Sequence, residues 1–348
     1  MSLIRNSMRG IGIAGAARVF PEDLIGPAAS LDSRGAAAVL FGDGWENKVI
    51  LSGFDLERAG QRSGVEKRGW TKGHDVGALE LAVAAGNKAL DEAGWTRAEL
   101  NAVVVATCTP PRITSNFAAQ VASGLSTSAA GIDVRAGDAG GLEAWVVGAN
   151  IVRSGGAKVL VIAAEANSHY ANRDDLGNAL LLGDGAGALA LEPSESNGGL
   201  VTALSGTAEV SGTPFTVTGP LPPTESSVGS ESYHFQRPDA AYRLGLGAVW
   251  TRVGQDLVRQ LAELEAPAQH LLPHSVTLAQ LEATSEPFGL DVVDARLQLE
   301  NHGCLGCAGP IALVAKHWLA REDRAAQKVM ASLAVGDGVS WCALAWLG

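Results

Sequence analysis

Three short stretches of this chain carry residues that could do chemistry. The first is Gly131, Ile132, Asp133, Val134, Arg135, Ala136, Gly137, Asp138, Ala139, Gly140, which reads as a strand, a tight turn of small residues and the start of a helix. A turn of this kind lifts the Asp138 side chain out of the sheet and sets it at the positive end of a helix. There an anion is favoured, and adjacent backbone N–H groups can bind a developing oxyanion. The same aspartate could also serve only as a cap for the helix that begins at Ala139. The second stretch, Leu271, Leu272, Pro273, His274, Ser275, places a histidine between an apolar strand and a helix, as a structural residue or as a proton carrier. The third, Asn301 to Gly309, is a small-residue turn holding His302, Cys304 and Cys307. Its Cys-x-x-Cys spacing has no second pair, so the ligand count falls short of a tetrahedral zinc site and no metal is expected.

Apolar runs bounded by glycine or proline alternate with amphipathic stretches, the pattern of buried strands between helices in a layered α/β fold. Strands are expected at Gly10 to Ala16, Ala102 to Thr107, Gly131 to Arg135, Lys158 to Ala164 and Ala186 to Leu191. Val76 to Ala93 reads as a helix with Asp75 able to cap its start and Gly94 placed to end it, and Ala139 to Ser154 as a second. The run Gly183, Asp184, Gly185, Ala186, Gly187 reappears as Gly336, Asp337, Gly338, Val339, Ser340, and each copy leads into an apolar strand, the second at Trp341 to Trp346. Upstream of the second copy, a strand near Leu297 to Glu300 and a helix leading to Lys328 would frame Cys304 as Asp138 is framed. Such repetition implies two sheets about a pseudo-twofold axis. The Ser, Asn and Gly-rich segment Pro193 to Gly199 divides an N-terminal half, 1–192, from a C-terminal half, 193–348. Residues 207–240, rich in Ser, Thr, Pro and Gly, read as a long excursion that could cover a pocket.

With 348 residues, 47% hydrophobic and 18% charged, the chain can bury a deep core with an enclosed cavity. A net charge of −11 argues against nucleic acid and anionic membranes as partners. The absence of a long apolar run or a secretion-type leader leads to an expectation of a cytoplasmic protein. Four cysteines are too few for a disulfide framework in a chain of this length. Arg58, Arg62, Lys67, Arg68 and Lys72 gather in one local basic stretch, either a solvated loop or a patch for a phosphate-bearing cofactor or an acidic carrier protein.

Taken together the landmarks resemble ketoacyl synthase III and its acyltransferase relatives over nearly the whole chain. They are, in order, Arg62-Ser63-Gly64-Val65, the Val103 to Thr107 strand, Asp133-Val134 into the turn, Gly183 to Gly187, Pro273-His274, His302-Gly303, and Gly336-Asp337-Gly338 with Trp341. The resemblance implies a thiolase-like fold with duplicated βαβαβαββ halves in a layered α-β-α-β-α sandwich. It implies thioesters of coenzyme A or phosphopantetheine as substrates, with no permanently bound cofactor, and acyl-CoA or acyl carrier protein as partner. In that family a cysteine at the turn accepts the acyl group while a histidine and an asparagine assist. The histidine carries over to His274, but the cysteine falls on Asp138 and the asparagine on Cys304. The resemblance also puts Arg62 near the coenzyme A nucleotide, and the backbone of Asp138 and Asp337 at an oxyanion hole.

An acyl group on a carboxylate would be a short-lived mixed anhydride, so condensation through residue 138 is not expected. Asp138 with His274 could instead act as a general base for direct acyl transfer or for thioester hydrolysis. The alternatives are a catalytically silent subunit paired with an active ketosynthase-like partner, and a relocated nucleophile at Cys304. A homodimer, or a heterodimer with a ketosynthase-like subunit, is expected.

Overall fold

The structure, a computed structural model, describes residues 2–4, 8–195, 198–320, 328–336 and 338–348. Its first sheet is built from β1 (Ile11–Val19), β2 (Ala102–Ala106), β3 (Ala130–Val134), β4 (Val159–Ala166) and β5 (Asp184–Pro193), in the order β1-β5-β4-β2-β3. β2 runs parallel to both β3 and β4, and β5 is antiparallel to both β1 and β4. The second sheet contains β6 (Gly199–Thr207), β7 (His270–Leu271), β8 (Val329–Val335) and β9 (Ser340–Leu347), in the order β6-β9-β8-β7. Here β9 is antiparallel to β6 and β8, and β7 is parallel to β8, the arrangement of β1, β5, β4 and β2 over again. The duplicated glycine runs thus lead into equivalent strands, β5 and β9. The N-terminal strands Ser2–Ile4 and Met8–Arg9 extend the second sheet by pairing with β6.

Both faces of the first sheet are covered, which explains strands that read as unbroken apolar runs. Val103, Val105, Leu160 and Ile162 pack on one side with Leu81, Ala85 and Ala89 of α1 (Ala78–Ala93). Val104, Ala106, Val161 and Ala163 face the other side, towards α2 (Gly140–Arg153) and, beyond it in sequence, a helix at Ala308–Ala320. These two helices form the central layer. Residues Ile311 to Ala315 are fully buried around the whole turn of the helix, as a central position between two sheets demands. On the far face of the second sheet lies α3 (Ala240–Glu263), burying Val249, Val253, Leu257 and Leu261. The result is the five-layer α-β-α-β-α sandwich of the thiolase-like fold.

Close approach of the central layer depends on missing side chains. A Cβ on Gly141 of α2 would lie 2.2 Å from the Cys307 carbonyl oxygen, and one on Gly187 of β5 would lie 2.5 Å from the Ala312 nitrogen.

Two local expectations are corrected. The segment expected as a strand near Leu297 to Glu300 belongs to a helix, α4 (Val293–His302), which buries Ala295, Gln298 and Leu299. Helix α1 starts at Ala78 rather than Val76, and its cap is Gly77, whose N–H donates to Glu80 Oε2 at 2.8 Å, not Asp75. Gly94 does end it, in the left-handed conformation with φ 67°. Residues 321–327, on the path to Lys328, are outside the described residues. No helix among the described residues is long and apolar enough to cross a membrane.

Candidate active site

The turn carrying Asp138 is held from three sides. Before it, the Asp133 carboxylate on β3 accepts the N–H groups of Phe117 and Ala118 at 2.9 and 2.6 Å, tying the strand to the start of the preceding helix, Phe117–Gly124. Within it, Gly137 adopts φ 56° and its carbonyl accepts Gly140 N–H at 2.9 Å, so α2 begins immediately beyond. The helix cap is Ala139, and Asp138 stands one position earlier. From the other half, Gly336 packs so tightly on the turn that a Cβ there would lie 2.4 Å from the Asp138 nitrogen. The elbow and the loop after β8 are therefore in contact, although Asp337 itself is outside the described residues.

His274 is placed by the extension of the β7–β8 pairing, its N–H donating to the Leu333 carbonyl at 2.9 Å. Its ring stacks near Trp250, with centroids 6.0 Å apart. Cys304 is placed by a stitch between the halves: its N–H donates to the Leu181 carbonyl at 2.7 Å, and its own carbonyl accepts Gly183 N–H at 2.8 Å. Gly183 permits this because a Cβ there would sit 1.8 Å from the His302 carbonyl oxygen.

These elements bring three of the expected residues together. His274 Nε2 is 3.6 Å from Cys304 Sγ and 4.0 Å from Asp138 Oδ2. The Asp138 side chain is 25% exposed while His274 is 0% exposed, so the acid meets the cavity and the imidazole backs it. Burial pushes the His274 pKa down to about 4, and a 4.0 Å separation is too long for a tight ion pair. The imidazole is accordingly a neutral neighbour of the acid near neutral pH. Arg62 is exposed on the helix Leu56–Ser63 and is not among the residues that line the cavity.

That cavity has a volume of about 460 Å³. Asp138, Cys304, Gly306, Asn167 and Cys108 form its polar end, and Leu181, Leu246, Trp250 and the stacked rings of Phe215 and Phe235 form its apolar wall. The excursion 207–240 supplies Phe215, Thr216, Val217, Phe235 and Pro238 to this wall, so it does cover a pocket.

Glu165 went unnoticed in the sequence. It is fully buried at the end of β4, where its carboxylate accepts Cys108 N–H at 3.0 Å, Thr109 Oγ1–H at 2.6 Å and Cys307 Sγ–H at 2.9 Å. A single charge in the apolar run Val159–Ala166 was the signal available. Asn167 nearby donates from Nδ2 to the Gly183 carbonyl at 3.1 Å. The described residues hold no group of three or more His, Cys, Asp or Glu arranged for a metal ion.

The layered sandwich with two like-ordered sheets defines a thiolase-like fold, and the solved structures it resembles share it. The 3-oxoacyl-(acyl carrier protein) synthase III of Pseudomonas aeruginosa PAO1 superposes with a TM-score of 0.76 at 23% identity, covering 97% of this chain and 98% of the other. The priming β-ketosynthase of the R1128 polyketide biosynthetic pathway gives 0.76 at 21% identity, covering 99% and 98%. Residues 132–208 match the family model of 3-oxoacyl-[acyl-carrier-protein] synthase III. The β-ketoacyl-[acyl-carrier-protein] synthase III of Roseiflexus castenholzii is 29% identical over 86% of this chain and 94% of its own length. That of Roseiflexus sp. strain RS-1 is 34% identical, over 47% of this chain and only 53% of its own length. In fold and in sequence the chain is thus similar to the ketoacyl synthase III proteins.

Proposed function

We propose that the protein is an acyltransferase acting on acyl-CoA or acyl-carrier-protein thioesters, with no acyl-enzyme at residue 138. One observation carries this reading: Asp138 opens onto a largely apolar cavity of about 460 Å³ with His274 directly behind it. The apolar wall suits an acyl group, and the acid at its polar end suits a general base. Asp138 takes the proton from an acceptor hydroxyl, amine or water as that acceptor attacks the thioester carbonyl. His274, buried and neutral, backs the acid at 4.0 Å and holds it towards the cavity. The Asp138 N–H, beside the Gly336 loop, is the donor for the oxyanion, with Asp337 as the second backbone position. Acyl carrier protein enters as donor by analogy with the names of the relatives, and the exposed Arg62 is the candidate contact for a cofactor phosphate.

The complete burial of His274 favours a second reading, a silent subunit that pairs with an active ketosynthase-like chain. The two part on one experiment. Purified protein is incubated with acetyl-, octanoyl- and benzoyl-CoA, and free coenzyme A thiol is measured. Release that falls at least about a hundredfold in Asp138→Asn, with the melting temperature preserved, supports the acyltransferase. No release from any donor, together with co-purification of a second chain, supports the silent subunit.

A further inference from the structure

Residue 138 cannot serve as a durable acyl carrier, yet the cavity it opens onto contains another nucleophile with a base attached. Cys108 follows the end of β2 and lines the same cavity as Asp138 and Cys304. It is an exposed free thiol, whereas Cys304, Cys307 and Cys342 are buried. Behind it sits the Glu165 carboxylate, which also receives the Cys307 thiol at 2.9 Å. The Cys108 N–H donates to both Glu165 oxygens at 3.0 and 3.1 Å, which holds its thiol beside the carboxylate and the Cys307 thiol. Two thiols and a buried carboxylate thus form one connected group, with only Cys108 reaching the open space.

The group is also adjacent to the acid. A Cβ added at Gly306 would lie 3.2 Å from Glu165 Cγ, 3.3 Å from Asp138 Oδ1 and 3.4 Å from Asn167 Nδ2. Gly306 therefore backs directly onto both carboxylates and the Asn167 amide, too closely for a side chain of its own. Cys108, Asp138 and Gly306 all line the open cavity, so a thioester carbonyl entering it is flanked by the Cys108 thiol and the Asp138 acid.

We infer that Cys108 is the acyl-accepting nucleophile of this protein, with Glu165 as its base and Asp138 reserved for the acceptor. The inference rests on the thioester-transfer reading above. The Cys108 S–H proton passes to Glu165 as the sulfur attacks the thioester carbonyl carbon. A carbon–sulfur bond to Cys108 forms, the carbon–sulfur bond to the pantetheine arm breaks, and the departing thiolate recovers the proton from Glu165. The exchange is thioester for thioester and requires no oxidant or reductant. Burial supports the pairing, because it pushes the Glu165 carboxyl up from the usual carboxylate range and so makes it a stronger base. Hydrogen bonding from Cys307 lowers the Cys108 pKa, but desolvation by the cavity walls around the thiol, which is open only towards the cavity, and the Glu165 and Asp138 carboxylates outweigh it and raise the pKa overall. The resting group is therefore the thiol, and the thiolate forms only as its proton leaves.

The test uses the full chain with acetyl-, octanoyl- and benzoyl-CoA. Acid-quenched protein is digested and mapped by mass spectrometry while free coenzyme A is followed in parallel. The expected result is an acyl adduct on the peptide holding Cys108, with coenzyme A release reduced at least about a hundredfold in Cys108→Ala. Glu165→Gln, checked for folding by its melting temperature, should slow adduct formation while leaving Cys108 open to iodoacetamide. Coenzyme A release without a Cys108 adduct and undiminished in Cys108→Ala, or an adduct on Cys304 instead, overturns the inference but leaves thioester transfer standing. Neither release nor adduct with any donor overturns both.

Discussion

The sulfur of Cys304 lies 3.6 Å from Nε2 of His274, and a carboxylate oxygen of Asp138 lies 4.0 Å from the same nitrogen. The family this chain resembles keeps asparagine and cysteine at those two positions. By that resemblance His274 corresponds to the family histidine, and the residues on either side of it differ from the family's.

Restoring both neighbours is a direct test of that correspondence. Asp138→Cys combined with Cys304→Asn should give a folded protein that acquires an acyl adduct on residue 138 from acetyl-CoA. At least about tenfold more label on that peptide than in the parent is expected, read by peptide mass spectrometry. A folded double variant with no adduct there would dissociate this site from the family chemistry.

Burial of His274 has a consequence for stability against pH. The imidazole titrates near 6.5 when unfolded and near 4 in the fold, so between these values the unfolded chain binds more protons. Stability from this residue is fully present above pH 6.5 and is lost as pH falls through about 4. The span corresponds to about 3 kcal/mol. Melting temperatures measured from pH 7 to pH 4 should fall less steeply in His274→Gln than in the parent, and parallel slopes would contradict the buried neutral ring.

Gly336 should tolerate no side chain. A methyl group in Gly336→Ala would lie 2.4 Å from the Asp138 nitrogen and 2.9 Å from the Gly137 carbonyl carbon, both backbone atoms. A loss of about 1–3 kcal/mol is expected, with the elbow displaced. Denaturant unfolding provides the measurement, and coenzyme A release should fall further than the stability change alone would require.

Acyl selectivity should respond to the apolar wall. Phe235, stacked on Phe215 at 4.6 Å, fills space that Phe235→Ala would open. The ratio of kcat/KM for octanoyl-CoA over acetyl-CoA should rise about tenfold, the scale on which apolar pockets discriminate added carbons. An unchanged ratio would place the acyl group elsewhere.

Much of the architecture was legible because strand, turn and helix follow one another locally. The elbow at Asp138 is such a case, as are the paired glycine runs before β5 and β9. The reading failed at Leu297 to Glu300, where alternation of Leu, Gln, Leu and Glu imitates a strand. The buried set is instead Ala295, Gln298 and Leu299, a helical spacing disguised by a polar member, and Gln298 is accommodated by donating to the Gly309 carbonyl at 3.0 Å. Asp138, His274 and Cys304 were legible as candidates from their turns, with roles implied by resemblance, and their proximity comes from the folding of one half onto the other. Glu165 and Cys108 escaped notice for a related reason. They meet only because β2 and β4 pair in parallel, which aligns chain segments that are distant in sequence.

The hydrogen bonds joining Cys304 to Leu181 and Gly183 sew the rear of the chamber shut across the duplication. Cutting the chain at the Pro193 junction would thus yield two fragments that each carry an incomplete wall, able to act only after reassembly. Remodelling of the chamber falls instead to the covering strap at 207–240 and to α3, whose side chains can vary without unpicking that seam.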